Sequence, residues 1–348
     1  MPTHAVKQRL ERCPSLPQAG VAATARARVS RAGNGAWDAP LACGRWHPAA
    51  AGAHAMLRGQ DRLRASATAA IAAAAASALL DELETWPKPG LVSYVDTGSH
   101  TDMDAGTFCR SVAAIEPFFA DLATAGASGA GMDELRRVGL EAEQAMLAAT
   151  HGINTHRGAI FGLGLLCAAA GAALGSENAQ PSAGARWSYA AAVLGAIVRQ
   201  QWGSRILVGP IPIDSHGTNA LRRFGAGGAR AQAAGGFPLV LLVGLPALRL
   251  GRRLAPGDAL AGRVQAFFAL LSVADDTNLL HRGGAAGLGY ARKAARSFLA
   301  EGGVGRPAWV DAAVATHRGF VSRRLSAGGC GDLLAATLFL DRLEAGLS

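Results

Sequence analysis

Downstream of Asp61 the apolar residues recur mainly at three- and four-residue spacing, the repeat that lines one face of a helix, while alternating β-branched runs are almost absent. The repeat predicts helices over Ala65–Glu84, Ala105–Thr124, Met132–Thr150, Gly158–Leu174, Arg186–Gln201, Phe237–Leu250, Asp258–Leu280, Gly287–Ala300, Ala308–Val321 and Asp332–Leu347. Arg205–Ile213 is the one candidate for extended chain, and two prolines break it. No internal repeat of fixed period is present. The expected fold is all-α, a single compact multi-helix domain of about ten helices over residues 61–348.

Residues 1–60 differ. The first 55 carry seven basic and two acidic residues, several prolines and no surviving period, so a low-complexity, disordered N-terminal extension is expected. Its composition fits a transit peptide or sequence upstream of a start at Met56, and the second fits better. Of 34 basic residues only Lys7, Lys88 and Lys293 are lysine, and the net charge is +9. The arginines are scattered, without a stripe interleaved with aromatics, which argues against nucleic acid and for anionic small molecules. Cys13, Cys43, Cys109, Cys167 and Cys330 form no CxxC pair, so neither a disulfide framework nor a zinc cage is expected. The longest apolar stretch, Ala159 to Leu174, is short for a membrane span and reads as a buried core helix. A cytoplasmic protein without a membrane partner is the expectation.

Four polar, glycine-punctuated segments interrupt the helices. The first, Trp86-Pro87-Lys88-Pro89-Gly90-Leu91-Val92, holds Lys88 on a stiff turn and continues to Asp96, His100, Asp102 and Asp104. A solvated loop lysine and a helix cap at Asp102 or Asp104 are the plain readings; carboxylates so clustered also suit Mg²⁺. The second, His151 to Gly158, offers Asn154 or Thr155 as a cap and places His156 and Arg157 at a helix start, where backbone N–H groups and a guanidinium receive phosphate. In the third, Asp275 and Asp276 end a long apolar helix against its dipole, before Asn278, His281, Arg282 and a Gly-Gly pair, which points to metal or proton chemistry. The fourth, Ser326 to Asp332, starts the last helix with Gly328 and Gly329, able to converge N–H groups on an anion, and Asp332. A fifth, Asp214 to Arg230, reads equally as a basic loop over a polyphosphate or an exposed connection.

In order, Pro-Lys-Pro-Gly-Leu-Val, His-Thr-Asp-Met-Asp, Asn-Thr-His-Arg-Gly-Ala-Ile-Phe, Asp-Thr-Asn-Leu-Leu-His-Arg-Gly-Gly and Gly-Gly-x-x-Asp-Leu-Leu-Ala resemble the triphosphoribosyl-dephospho-CoA synthase family over about residues 65–345. The wording Trp-Pro-Lys-Pro-Gly-Leu-Val-Ser is closer to the malonate decarboxylase branch than to the citrate lyase branch. Ala327 stands where the family usually has proline, and Gly331 where it usually has alanine. The resemblance implies transfer of the triphosphoribosyl group of ATP to the 2′-hydroxyl of 3′-dephospho-CoA, with adenine released. The product would be the prosthetic-group precursor for an acyl-carrier subunit, loaded by a holo-carrier transferase. Displacement at a ribose C1 needs a carboxylate for the hydroxyl proton and cations for the phosphates. Asp275 or Asp276 with Asp102 and Asp104 are the candidate catalytic carboxylates, and Asp102, Asp104, Asp276 and Asp332 the candidate Mg²⁺ ligands. Lys88, Asn154, His156, Arg157, Asn278, His281, Arg282, Gly328 and Gly329 are the candidate nucleotide contacts. A Mg²⁺-dependent ribosyl hydrolase and a non-catalytic assembly factor for a carrier protein are the competing readings.

Overall fold

A computed structural model describes residues 2–13, 48–175, 190–210 and 216–346. Its α-helices are α1 (Pro2–Glu11), α2 (Pro48–Glu84), α3 (Ala105–Ala127), α4 (Met132–Ala149), α5 (Arg157–Gly175), α6 (Ala191–Ile197), α7 (Gly203–Val208), α8 (His216–Phe224), α9 (Gly228–Ala234), α10 (Leu245–Leu254), α11 (Ala259–Leu271), α12 (Thr277–Ala300), α13 (Trp309–Ser322) and α14 (Gly328–Ala345). Single π-helical turns at Val198–Trp202 and Val240–Gly244 lead into α7 and α10, and a short 3₁₀ turn spans Gly303–Gly305. The described residues contain no strand, so the all-α expectation holds.

The predicted boundaries of α3, α4, α5 and α13 agree with the structure to within a few residues; the Asp104 cap bounds α3 and Gly131 bounds α4. The largest difference falls in the third polar segment. The predicted Asp258–Leu280 helix is two helices: α11 stops at Leu271 and α12 starts at Thr277. Asp276 is the N-cap of α12, with extended backbone, so it faces the favourable end of a helix and not the unfavourable end inferred from the apolar run. The Gly-Gly pair is a kink inside α12, with Gly284 at φ 59° and ψ −160°, and not a stop. The candidate extended piece is helical over Gly203–Val208, and the described part of the fifth segment forms α8 and α9 instead of a loop. Residues 211–215, which include Asp214, lie outside the described residues, as do 14–47 of the expected extension.

The parts of residues 1–60 that the structure describes are helical. Pro48–Gln60 extends α2 backwards, and α1 packs on α2 with Val6, Leu10 and Cys13 buried. A disulfide joins Cys13 to Cys109 of α3 across 96 residues, which corrects the expectation of none. Cysteines that far apart carry no local spacing signal; only the packing of α1 brings them together.

The centre is built from α2, α3, α5 and α14, which pack on one another. α3 and α5 cross at backbone contact: a β-carbon at Gly126 would lie 1.9 Å from Ala168 O, and one at Gly171 would lie 1.8 Å from Ala123 O. Small residues at the crossing therefore set how close the two helices come. The stretches Arg62–Glu84 and Arg157–Leu174 are long and apolar enough to cross a membrane, yet 67% of each apolar window is buried inside the protein. A helix that is apolar on every face belongs in such a core. Asp81 ties α2 outward through Arg9, Arg263 and Arg342.

Candidate active site

The four polar segments converge on one cleft where α2, α3, α5, α12 and α14 meet, with about 580 Å³ of empty space including the solvent at its mouth. Leu79, Leu91, Val92, Met103 and Phe108 make an apolar wall. His100, Asn154, Thr155, His156, Asn278 and Ser326 supply polar groups, and Glu82 and Asp332 supply the carboxylates. The volume and the mixture suit a small organic ligand held by a few placed polar atoms.

Glycines let the carboxylates approach. A β-carbon at Gly158, in the first turn of α5, would lie 2.0 Å from Asp332 Oδ2. One at Gly328 would lie 2.1 Å from Asn278 Nδ2, one at Gly329 3.1 Å from Asp276 Oδ2, and one at Gly331 3.0 Å from Glu82 Oε1. Gly331 is thus a point of close approach to Glu82. From the glycine-rich start of α14 one backbone N–H, that of Cys330, reaches a carboxyl group, and it is the protein's own. Asp276 Oδ2 accepts from Cys330 N at 2.8 Å, and Oδ1 accepts from Asn278 N at 2.9 Å and Leu279 N at 3.0 Å. One buried carboxylate therefore caps α12 and fastens it to α14. Burial raises the Asp276 pKa, opposed by these three N–H groups. Asp276→Asn replaces one of its two acceptor oxygens with a donor, so we expect a loss of about 2 kcal/mol of stability in urea unfolding.

Asp332 sits deeper in electrostatic terms. Burial raises its pKa well above the ordinary carboxylate value, and the nearby carboxylates of Glu82 and Asp276 raise it further. Glu82, in the last turn of α2, is engaged by Lys88, whose Nζ donates to Glu82 Oε1 at 2.5 Å and to Glu82 O at 2.7 Å. Lys88 is 1% exposed. Burial lowers its pKa and Glu82 works against that shift. The Pro/Gly turn is held by a contact of His317 with both Lys88 O and Asp96, and it aims the Lys88 ammonium at the end of α2.

The imidazoles are held by directional chains. Arg282 donates to His100 Nδ1 at 3.3 Å, so His100 Nε2 donates to Ser326 Oγ at 2.9 Å. Burial, then Arg282, lowers the His100 pKa. His156 is 4% exposed, with Nδ1 2.6 Å from Ser111 Oγ, and burial followed by Lys88 brings its pKa down to about 3.

Other predicted residues stand apart. Asp275 is paired with Arg292 at 2.6 Å and is exposed. Asp104 takes the plain role, capping α3 through Thr107, whereas Asp102 is not the cap and lies exposed beside His100. Thr107 N–H and hydroxyl lower the Asp104 pKa. Asp102, Asp104, Asp276 and Asp332 do not meet at one point: among the described residues no group of three or more His, Cys, Asp or Glu side chains is placed to hold a metal. Asn154 Oδ1 accepts from Arg157 N at 3.1 Å and Arg157 pairs with Glu143 at 2.9 Å, while His281 lines a smaller hollow beside α8. Sequence reasoning missed Glu82, Ser111 and Ser326. Glu82 had a readable signal, adjacent carboxylates closing an otherwise apolar helix. Ser111 had none.

Residues 68–348 match the family described as ATP:dephospho-CoA triphosphoribosyl transferase. A probable 2-(5''-triphosphoribosyl)-3'-dephosphocoenzyme-A synthase of Stutzerimonas stutzeri is 40% identical over 292 residues, covering 81% of this chain and 94% of the relative. A protein of the same description from Azotobacter vinelandii is 40% identical over 275 residues, covering 78% and 90%. No solved structure matches the chain. With the family's match running through every helix that lines the cleft, the chain belongs to the ATP:dephospho-CoA triphosphoribosyl transferase family, and it is a transferase.

Proposed function

We propose that the cleft moves the triphosphoribosyl group of ATP onto the 2′-hydroxyl of 3′-dephospho-CoA, releasing adenine, and that the product serves the acyl-carrier subunit of malonate decarboxylase. The observation that carries the chemistry is the carboxylate pair Glu82 and Asp332, both lining one cleft that also has an apolar wall, with burial raising the Asp332 pKa. Asp332, whose raised pKa makes it the more basic of ordinary carboxylates once ionised, takes the hydroxyl proton; Glu82, steadied by Lys88, faces the positive charge that develops at C1 of the ribose. Arg157, next to His156 in the chain and paired with Glu143, and Arg282, which donates to His100, would supply the cations for the phosphates. Gly328 and Asn278 line the same cleft. A Mg²⁺ ion would use Asp332 and Glu82 together with substrate phosphates; this fits the mutual repulsion of the two carboxylates, which a cation relieves, and the charge it supplies would neutralise the triphosphate. The malonate decarboxylase branch rests on the Trp86–Ser93 wording alone, with citrate lyase as the alternative carrier. A cytoplasmic site of action accords with this reading.

Incubating the purified chain with ATP, Mg²⁺ and 3′-dephospho-CoA should release adenine in step with a product of coupled mass. Adenine with free ribose triphosphate would make the protein a hydrolase, and no adenine would leave an assembly factor. Gly158→Ala should slow adenine release about 10²-fold, because the added β-carbon must push Asp332 aside. Steady-state kinetics of the variant check it.

A further inference from the structure

The His156 ring has one nitrogen that the fold leaves without a partner. Nε2 is buried and makes no hydrogen bond, and His156 borders the cleft beside Phe108, ring centroids 4.9 Å apart and nearly perpendicular. The other nitrogen is fixed from behind. Thr155 Oγ1 donates to Ser111 Oγ at 2.7 Å, and Ser111 Oγ lies 2.6 Å from His156 Nδ1. Ser111 is fully buried, so its own hydroxyl proton needs an acceptor, and Nδ1 is the one in contact. A neutral imidazole that accepts at Nδ1 carries its proton on Nε2. A buried N–H left unpaired costs about 1–3 kcal/mol, so such a group is worth keeping only if something fills it.

Resting on the transfer reaction above, we infer that His156 Nε2–H donates to a ring nitrogen of the ATP purine, and that Ser111 and Thr155 are positioning residues that set this tautomer. The purine lies against Phe108, Met103 and Leu91, the apolar wall next to His156. As transfer proceeds, the bond from ribose C1 to purine N9 breaks and its electron pair goes to the purine; the new bond forms between C1 and the acceptor 2′-oxygen. The acceptor's proton passes to Asp332 and then, through solvent, to the departing base, so that adenine leaves neutral. His156 gives up no proton. With its pKa depressed to about 3 the ring stays uncharged through the working pH range, and its contribution is a hydrogen bond that strengthens as negative charge builds on the purine.

The tautomer can be read directly. In protein labelled with ¹⁵N-histidine, long-range ¹H–¹⁵N spectra should show His156 Nε2 as the protonated nitrogen in wild type and a tautomer mixture in Ser111→Ala. Equilibrium binding of ATP, 3-deaza-ATP and 7-deaza-ATP supplies the second readout. One deaza analogue should bind wild type roughly 3- to 10-fold more weakly than ATP, and the same analogue should bind Ser111→Ala within about twofold of ATP. Thr155→Val should move both readouts in the same direction, and His156→Gln, which keeps an N–H donor, should retain part of the discrimination. A protonated Nδ1 in wild type, or deaza discrimination indifferent to Ser111→Ala, overturns the inference; so does discrimination only towards changes in the ribose or phosphates. Adenine release by wild type with Ser111-independent discrimination sinks the inference alone. Ser111-dependent discrimination without adenine release sinks the transfer reading alone.

Discussion

Asp332→Asn should reduce kcat for adenine release by about 10²–10⁴-fold, the usual contribution of a positioned proton acceptor, while leaving the protein more stable than wild type at pH 7. The two effects have one cause. The fold holds Asp332 against Gly158, partly buried in the cleft and near Glu82 and Asp276, so ionisation of its carboxyl is disfavoured in the folded state. A carboxyl whose folded pKa is raised contributes stability that is fully present below its unfolded value, about 3.9, and lost as pH rises through the folded pKa. Asparagine never ionises and does not incur this loss. The stability advantage of Asp332→Asn in urea unfolding should therefore be largest at neutral pH and shrink as pH falls towards 4. A variant that is inactive and also less stable at pH 7 would show that Asp332 is held by favourable contacts instead of at a cost.

Lys88→Met should cost about 3–5 kcal/mol, because it leaves Glu82 buried without the ammonium that compensates it. In thermal unfolding this is a fall of roughly 5–15 °C. The partner variant distinguishes a broken pair from a lost packing contact. Glu82→Leu combined with Lys88→Met removes both charges, and the double variant should recover most of the lost stability while remaining without activity. If the double variant is as unstable as Lys88→Met, the lysine matters for its four-carbon stem and its bond to Glu82 O and not for charge. On the proposed reaction, Lys88 would act on the chemistry through Glu82, whose carboxylate and carbonyl it holds in place.

Much of this arrangement could be read from residue order. The helical period located α3, α4, α5 and α13, and the five motifs marked the segments that border the cleft. The reading failed where a local rule was applied to the wrong neighbour. Asp275 and Asp276 looked like acids at a helix C-terminus because the apolar stretch Phe267–Val273 leads almost directly into them. The break at 272–276 is set by what surrounds it: Arg292 takes Val273 O, Ala274 O and Asp275, while Cys330 N takes Asp276, contacts across 17 or more residues. Lys88 was legible as a fixed lysine but not as Glu82's partner, because the pairing depends on the chain turning back onto the last turn of α2. Cys13 and Cys109 were unreadable for the same reason.

The sequence by itself determined the all-helical class, the family and the polar segments, because periodicity, capping and motif wording are local properties carried by neighbouring residues. The tertiary structure decided which carboxylates face the cleft, Glu82 and Asp332 and not Asp102, Asp104 or Asp275, and which histidine nitrogen is left to donate. Those choices depend on distance, burial and hydrogen-bond direction between residues far apart in the chain, quantities that exist only once α2, α3, α5, α12 and α14 have packed.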